Sequence, residues 1–163
     1  MKGPNVYDST PDTLAHIHRV SELLNEFAND LRHRAAIHDD SKLQEPEKSV
    51  FDAVTPKLKA LTYGSDEYKA SLTEMGVALQ HHYAHNSHHP EHYPNGIADM
   101  TLMDIVEMLL DWKAATERHA NGEIIRSIEQ NEDRFGLDYK LECIFKNTAY
   151  ALGWAEKETV LKE

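Results

Sequence analysis

Ile37-His38-Asp39-Asp40-Ser41-Lys42 is the stretch on which the reading of this chain turns. Adjacent imidazole and carboxylate side chains form a compact ligand pair for a divalent cation. Lys42 adds a positive charge that can meet a phosphate oxygen held on the same metal. Two protein ligands rarely complete a catalytic metal site. The pair therefore calls for a further histidine upstream and a further carboxylate downstream, and His16 and Asp111 supply them.

Helical periodicity organises the residues on either side. Thr10-Pro11-Asp12 reads as a helix start with proline at the first helical position, behind a leader of little structure over residues 1–10. From Asp12 to about Arg32, Val20, Leu23, Leu24, Phe27 and Leu31 mark one apolar face, on which His16 falls while His18 falls opposite. A histidine on such a face is either a satisfied core residue or a metal ligand. A second helix is expected over Ala35 to Lys42, and a third from Pro46 to Phe51 with Pro56 as its break. Gly64-Ser65 marks a turn, and Tyr68, Leu72, Met75 and Leu79 then form a stripe that continues onto His82 rather than His81.

Residues Asn86 to Met100, with two prolines and a glycine, read as a loop rich in histidine. Thr101 caps a strongly apolar helix to His119, stopped by Asn121-Gly122, and two further helices cover about Glu123 to Arg134 and Leu137 to Glu156. Asp104, Glu107, Asp111 and Arg118 share one stripe of the helix that begins at Thr101, either as its solvated face or as a row of ligands. Asp104 has its own explanation as the partner of Thr101 in a capping box, whereas mid-helix Asp111 has none. No convincing period-2 strand occurs, so the chain is expected to be all-α, with residues 11–163 forming one helical domain.

Composition narrows the function classes. Seventeen Lys+Arg against 28 Asp+Glu give a net charge of −11, which speaks against bulk nucleic-acid binding but leaves room for a local basic pocket. The lone Cys143 cannot form an intramolecular disulfide and reads as a small buried residue. No apolar stretch approaches the roughly 20 residues of a membrane span, and a cytoplasmic protein without membrane contact is expected; homo-oligomers remain open. Six of the eleven histidines lie between His81 and His92. That many imidazoles repel one another when partly charged, unless a cation or carboxylates organise them. Glu47 is a candidate acceptor for orienting one of them.

The order His16, His38-Asp39, Asp111 resembles the HD-domain superfamily of metal-dependent phosphohydrolases. His16-x-x-x-Val20 is similar to that family's first-helix histidine, Ile37 to Lys42 to its HD-x-x-K stretch, and Leu110-Asp111-Trp-Lys-Ala-Ala115 to its closing aspartate helix. His88 to Gly96 resembles the His-His-Glu segment of the cyclic-dinucleotide phosphodiesterase branch only in part, lacking its full Gly-Tyr-Pro signature. His82-x-x-x-Asn86-x-His88-His89, Lys42-x-x-x-x-Glu47 and Ser127-Ile-Glu-Gln-Asn131-x-x-Arg134-Phe135 resemble a small phage and bacterial family of HD-like proteins with no assigned activity, across most of residues 13–153.

The resemblance implies an HD-like helical bundle with one or two divalent ions (Mn, Fe, Co, Zn or Mg), the first held by His16, His38, Asp39 and Asp111. Asp39 can bridge to a second ion held by His82 and one of His88 or His89; otherwise these histidines serve as proton donors to a leaving alkoxide. Lys42, Arg118 or Arg134 would hold the phosphate, and Trp112, Tyr83 or Tyr93 would stack on a base. By family analogy the substrate is a small phosphate ester such as a nucleotide or deoxynucleotide. Two other classes stay open: a di-iron HD-like oxygenase, and a non-catalytic protein whose metal staples a nucleotide-sensing pocket.

Overall fold

Side-chain caps, glycines and one left-handed aspartate mark where several helices of this chain begin and end. A computed structural model describes residues 7–61, 65–118 and 121–157, and all regular structure among them is helical. The chain divides into two compact units, Met1–Ile37 and His38–Glu163, so the domain expected over residues 11–163 spans that division.

The first unit holds α1, Thr10–Ile37. Asp8 accepts from the Thr10 amide at 3.0 Å, satisfying one of the unpaired donors at the helix start. Of the expected leader, residues 1–6 lie outside the described residues. No residue of α1 is buried; Leu14, Ile17, Val20, Leu23 and Leu24 of its apolar face are exposed, and so is His16. On the opposite side His18 pairs with Glu22 at 3.2 Å in solvent, as its polar surroundings predict.

Two expectations about the next segment are corrected. The helix expected over Ala35 to Lys42 does not form: with no glycine or proline to stop it, α1 runs on through Ile37, and the chain then turns at Asp39, whose φ is +59°. Aspartate tolerates this left-handed conformation better than most residues. A short 3-10 helix follows over Asp40–Leu43, its Lys42 amide bonded to the Asp39 carbonyl at 2.9 Å. The break expected at Pro56 is also absent, because α2, Glu47–Lys59, carries that proline in its last turn. Pro56 lacks the N–H that would bond the carbonyl four residues back, and the helix nonetheless continues to Lys59.

α3, Asp66–Glu74, and α4, Gly76–His85, meet at Met75, so the stripe leading to His82 is divided between two helices; Gly64 lies outside the described residues. Buried Met75 and His82 keep the phase the stripe implies. The histidine-rich segment after α4 contains only 3-10 turns, Pro90–His92 and Gly96–Asp99.

α5, Leu102–Thr116, starts at the expected capping box: the Asp104 amide donates to Thr101 Oγ1 at 3.2 Å, and the Thr101 amide to Asp104 Oδ2 at 2.8 Å. α6, Ile124–Phe135, ends at Gly136 with φ +63°, and α7, Tyr139–Ala151, is capped by Asp138 and carries half-buried Cys143. Gly122 is required where it stands, since a Cβ there would lie 2.0 Å from the Thr116 carbonyl oxygen. Met108, Leu109 and Trp112 of α5 pack with Ile124, Ile128, Leu137, Phe145 and Ala149 into the core. The Trp112 ring lies parallel to Phe135 at 6.2 Å and edge-on to Phe145 at 5.7 Å, an arrangement favoured by ring quadrupoles. This three-helix core fixes the orientation of α5, the helix that carries the downstream carboxylates.

Candidate metal centre

The turn at Asp39 and the opposing face of α5 bring His38, Asp39, Glu107 and Asp111 together within the second unit. Glu107 and Asp111, four residues apart, share a face of α5 while Met108 and Leu109 fill the core behind them. His82 arrives from α4, and His88 and His89 from the segment after it. Three groups result whose ligand atoms lie within 4.8 Å of one another: Asp39, His82, His88 and His89; His38, Asp39 and Asp111; and His38, His88 and Glu107.

The first two groups share Asp39 through different oxygens. Asp39 Oδ1 lies 3.4 Å from His82 Nε2 and 3.6 Å from His88 Nε2, while Asp39 Oδ2 lies 3.5 Å from His38 Nε2. His38 Nε2 in turn lies 3.7 Å from Asp111 Oδ1. The carboxylate therefore faces a nitrogen-rich subsite with one oxygen and an oxygen-rich subsite with the other. His82 Nε2 and His89 Nε2 are 2.8 Å apart, a separation at which two imidazole nitrogens need a proton or a cation between them. Asp39 Oδ1 and His88 Nε2 are buried and have no hydrogen-bond partner among the described residues. Buried polar atoms are normally satisfied, and this pair faces the place where a cation would satisfy both.

Carboxylates behind the rings set their tautomers. Glu47, fully buried, meets His82 Nδ1 at 3.0 Å and His81 Nδ1 at 2.7 Å. A carboxylate accepts, so each of those nitrogens donates and the Nε2 lone pair of His82 is left to point at Asp39. Burial, with His88 and His82 beside it, holds His89 down to about 3, so its ring is neutral and keeps its lone pair. Hydrogen bonds to Asp111 and Glu107 lift His38 to about 10. Burial would raise Asp111, but its bond to His38 and the nearby Lys42 charge outweigh that and hold it at about 2. A protonated His38 thus carries, in the oxygen-rich subsite, positive charge of the kind that a cation would bring.

Beside these ligands lies a cavity of about 430 Å³, lined by Asp39, His82, His89 and Asp111 and by the cations Lys42, Arg118 and Arg134. Lys42 Nζ bonds Asp39 Oδ2 and lies 5.1 Å from the centre of the Phe51 ring. Arg134 is tied to Glu91 at 2.5 Å and donates to the Tyr83 hydroxyl at 3.2 Å. Arg118 follows the end of α5 at Thr116.

Of the residues singled out in the sequence, the structure gathers His38, Asp39, Lys42, His82, His88, His89 and Asp111. Arg118 and Arg134 stand at the cavity. His16 stands on α1, in the first unit. Among the aromatic residues, Tyr83 and Trp112 line the cavity, Trp112 packing also into the core, and the Tyr93 hydroxyl is bonded to Asp104 at 2.9 Å. Glu107 was legible as one of a stripe of acids; its contact with His38, 69 residues away, left no mark in the sequence.

The fold and site define an all-helical protein with a histidine and carboxylate cluster suited to divalent cations. The chain belongs to a family of unknown function, DUF5662, which it matches over residues 5–152. No curated protein and no solved structure matches it.

Proposed function

We propose that this protein is a divalent-metal-dependent phosphohydrolase of the HD type acting on a small phosphate ester, a nucleotide or deoxynucleotide by preference. The observation that carries the reading is the buried, partnerless pair Asp39 Oδ1 and His88 Nε2, set among further ligand atoms of which Asp39, His82, His89 and Asp111 line a cavity edged by cations. His38, Asp39 and Asp111 would hold one ion, and Asp39, His82, His88 and His89 a second. Bound there, a divalent cation supplies Lewis acidity and an acidified water as nucleophile.

The remaining residues position the substrate. Lys42 offers its ammonium to a phosphoryl oxygen at the Asp39 end of the cavity. Arg118 and Arg134 attract the anionic ester into a chain whose net charge of −11 would otherwise repel it. Tyr83 and Phe51 give a base two aromatic surfaces. A cavity of about 430 Å³ falls in the range of small-molecule sites.

The test combines metal analysis of protein purified without a His tag with phosphate release from a nucleotide panel. Metal-dependent release is expected, with Asp39→Asn losing both metal and turnover. A metal-free protein that cannot be reconstituted would remove the site. Two iron atoms per chain with oxygen uptake and no phosphate release would instead favour the oxygenase reading, for which the three imidazoles around Asp39 Oδ1 are suitable iron ligands.

A further inference from the structure

We infer that Glu107 is a shared positioning residue, whose single oxygen Oε1 orients one imidazole of each metal subsite and so ties the two together. This rests on the metal-binding reading above and adds a residue and a coupling to it. Glu107 Oε1 lies 2.7 Å from His38 Nδ1 and 3.2 Å from His88 Nδ1, and the two rings lie side by side with centres 4.6 Å apart. His38 belongs to the oxygen-rich subsite and His88 to the nitrogen-rich one.

The chemistry of the acceptor fixes the arrangement. An ionised carboxylate has no proton to give, so both Nδ1 atoms donate to it, and both rings then direct Nε2 at Asp39. His38 Nε2 faces Oδ2 at 3.5 Å and His88 Nε2 faces Oδ1 at 3.6 Å. Two rings and two carboxylates thereby close a loop in which Asp39 meets the metal side and Glu107 the rear. Rotating either ring about its χ2 would break the bond to Glu107 and turn its lone pair away from the ion.

The alternative is that Glu107 is a ligand itself, since His38, His88 and Glu107 also lie close enough to hold an ion. That arrangement would take the Nδ1 lone pairs and leave both Nε2 atoms aimed at Asp39 without a cation. The partnerless state of His88 Nε2 favours the positioning role.

Two variants separate these roles, with Co²⁺ as the probe and its visible absorption and mass-spectrometric stoichiometry as readouts. Glu107→Gln keeps an oxygen able to accept from both Nδ1 atoms; Glu107→Leu does not. Removal of an orienting partner typically lowers metal affinity by about 10–100-fold. Glu107→Leu is therefore expected to lose that much at both subsites together, with Glu107→Gln close to wild type and retaining the wild-type cobalt spectrum. Leu binding Co²⁺ as wild type does would overturn the inference alone, as would Gln losing as much as Leu, which marks a direct ligand. Wild-type protein that takes up no Co²⁺ would overturn the metal reading and this inference with it.

Discussion

The two subsites that meet at Asp39 differ in ligand chemistry and burial. On the Oδ1 side stand three imidazoles, with His82 and His88 buried; on the Oδ2 side stand His38 and Asp111, both half-buried, with Asp111 lining the cavity. Nitrogen-rich ligation suits zinc, cobalt or iron, whereas carboxylate-rich ligation extends to manganese and magnesium. The difference teaches that one aspartate can present its two oxygens to two unlike sets of candidate ligands.

The strongest way to break this comparison is to remove one subsite at a time. His88→Ala is expected to lower metal content from two ions to one by deleting a ligand with no other partner at Nε2. Asp111→Asn should do the same on the other side. The pair of variants should retain different metals when offered zinc and manganese together, as read by mass spectrometry. Loss of both ions in each variant would show that the subsites are not separable.

A smaller effect concerns the segment that carries His88 and His89. Asp104 is buried and accepts from Ser87 at 2.6 Å and Tyr93 at 2.9 Å, pinning that segment to the start of α5. Burial would raise its pKa, but bonds from Ser87 and Thr101 outweigh that and hold it at about 2 against an ordinary value of 3.8. The folded value is depressed, so the stabilisation is fully present above the ordinary carboxylate range and is lost as pH falls through about 2. Denaturant unfolding in EDTA should show Asp104→Asn less stable by about 2 kcal/mol near neutrality, with the gap closing toward pH 2. A gap independent of pH would refute the ionic origin.

The smallest effect concerns a cation at the cavity. Arg118→Ala should leave metal uptake unchanged and raise KM for a nucleotide by about fivefold, the weight of an exposed charge contact near 1 kcal/mol. A change in metal content would mean that Arg118 belongs to the subsites rather than to the cavity.

Much of this was legible because it is local or periodic. The doublet announces itself, helical phase picks buried His82 over half-buried His81, and Thr101 with Asp104 spells out a capping box that the structure contains. Phase also placed Asp111 with Glu107 on one face. What escaped depends on contacts across long stretches of chain or on a single backbone angle. The doublet was expected inside a helix, yet it sits at a turn made by one left-handed residue. The apolar stripe of α1 gave His16 a side but no partner, because periodicity says which residues share a face and not what covers it. Glu47 could be proposed as an orienting acid from its position, whereas Glu107 needed the fold to bring α5 behind two rings.

The +59° φ of Asp39 also restricts which amino acids can stand there. Glycine, asparagine and aspartate enter left-handed backbone at low cost, while branched and longer side chains are strained. Of those three only aspartate carries a charge, and only its two equivalent oxygens can serve both subsites at once. Backbone shape and ligand demand act as successive filters on the genetic alphabet, and together they leave one letter for this position.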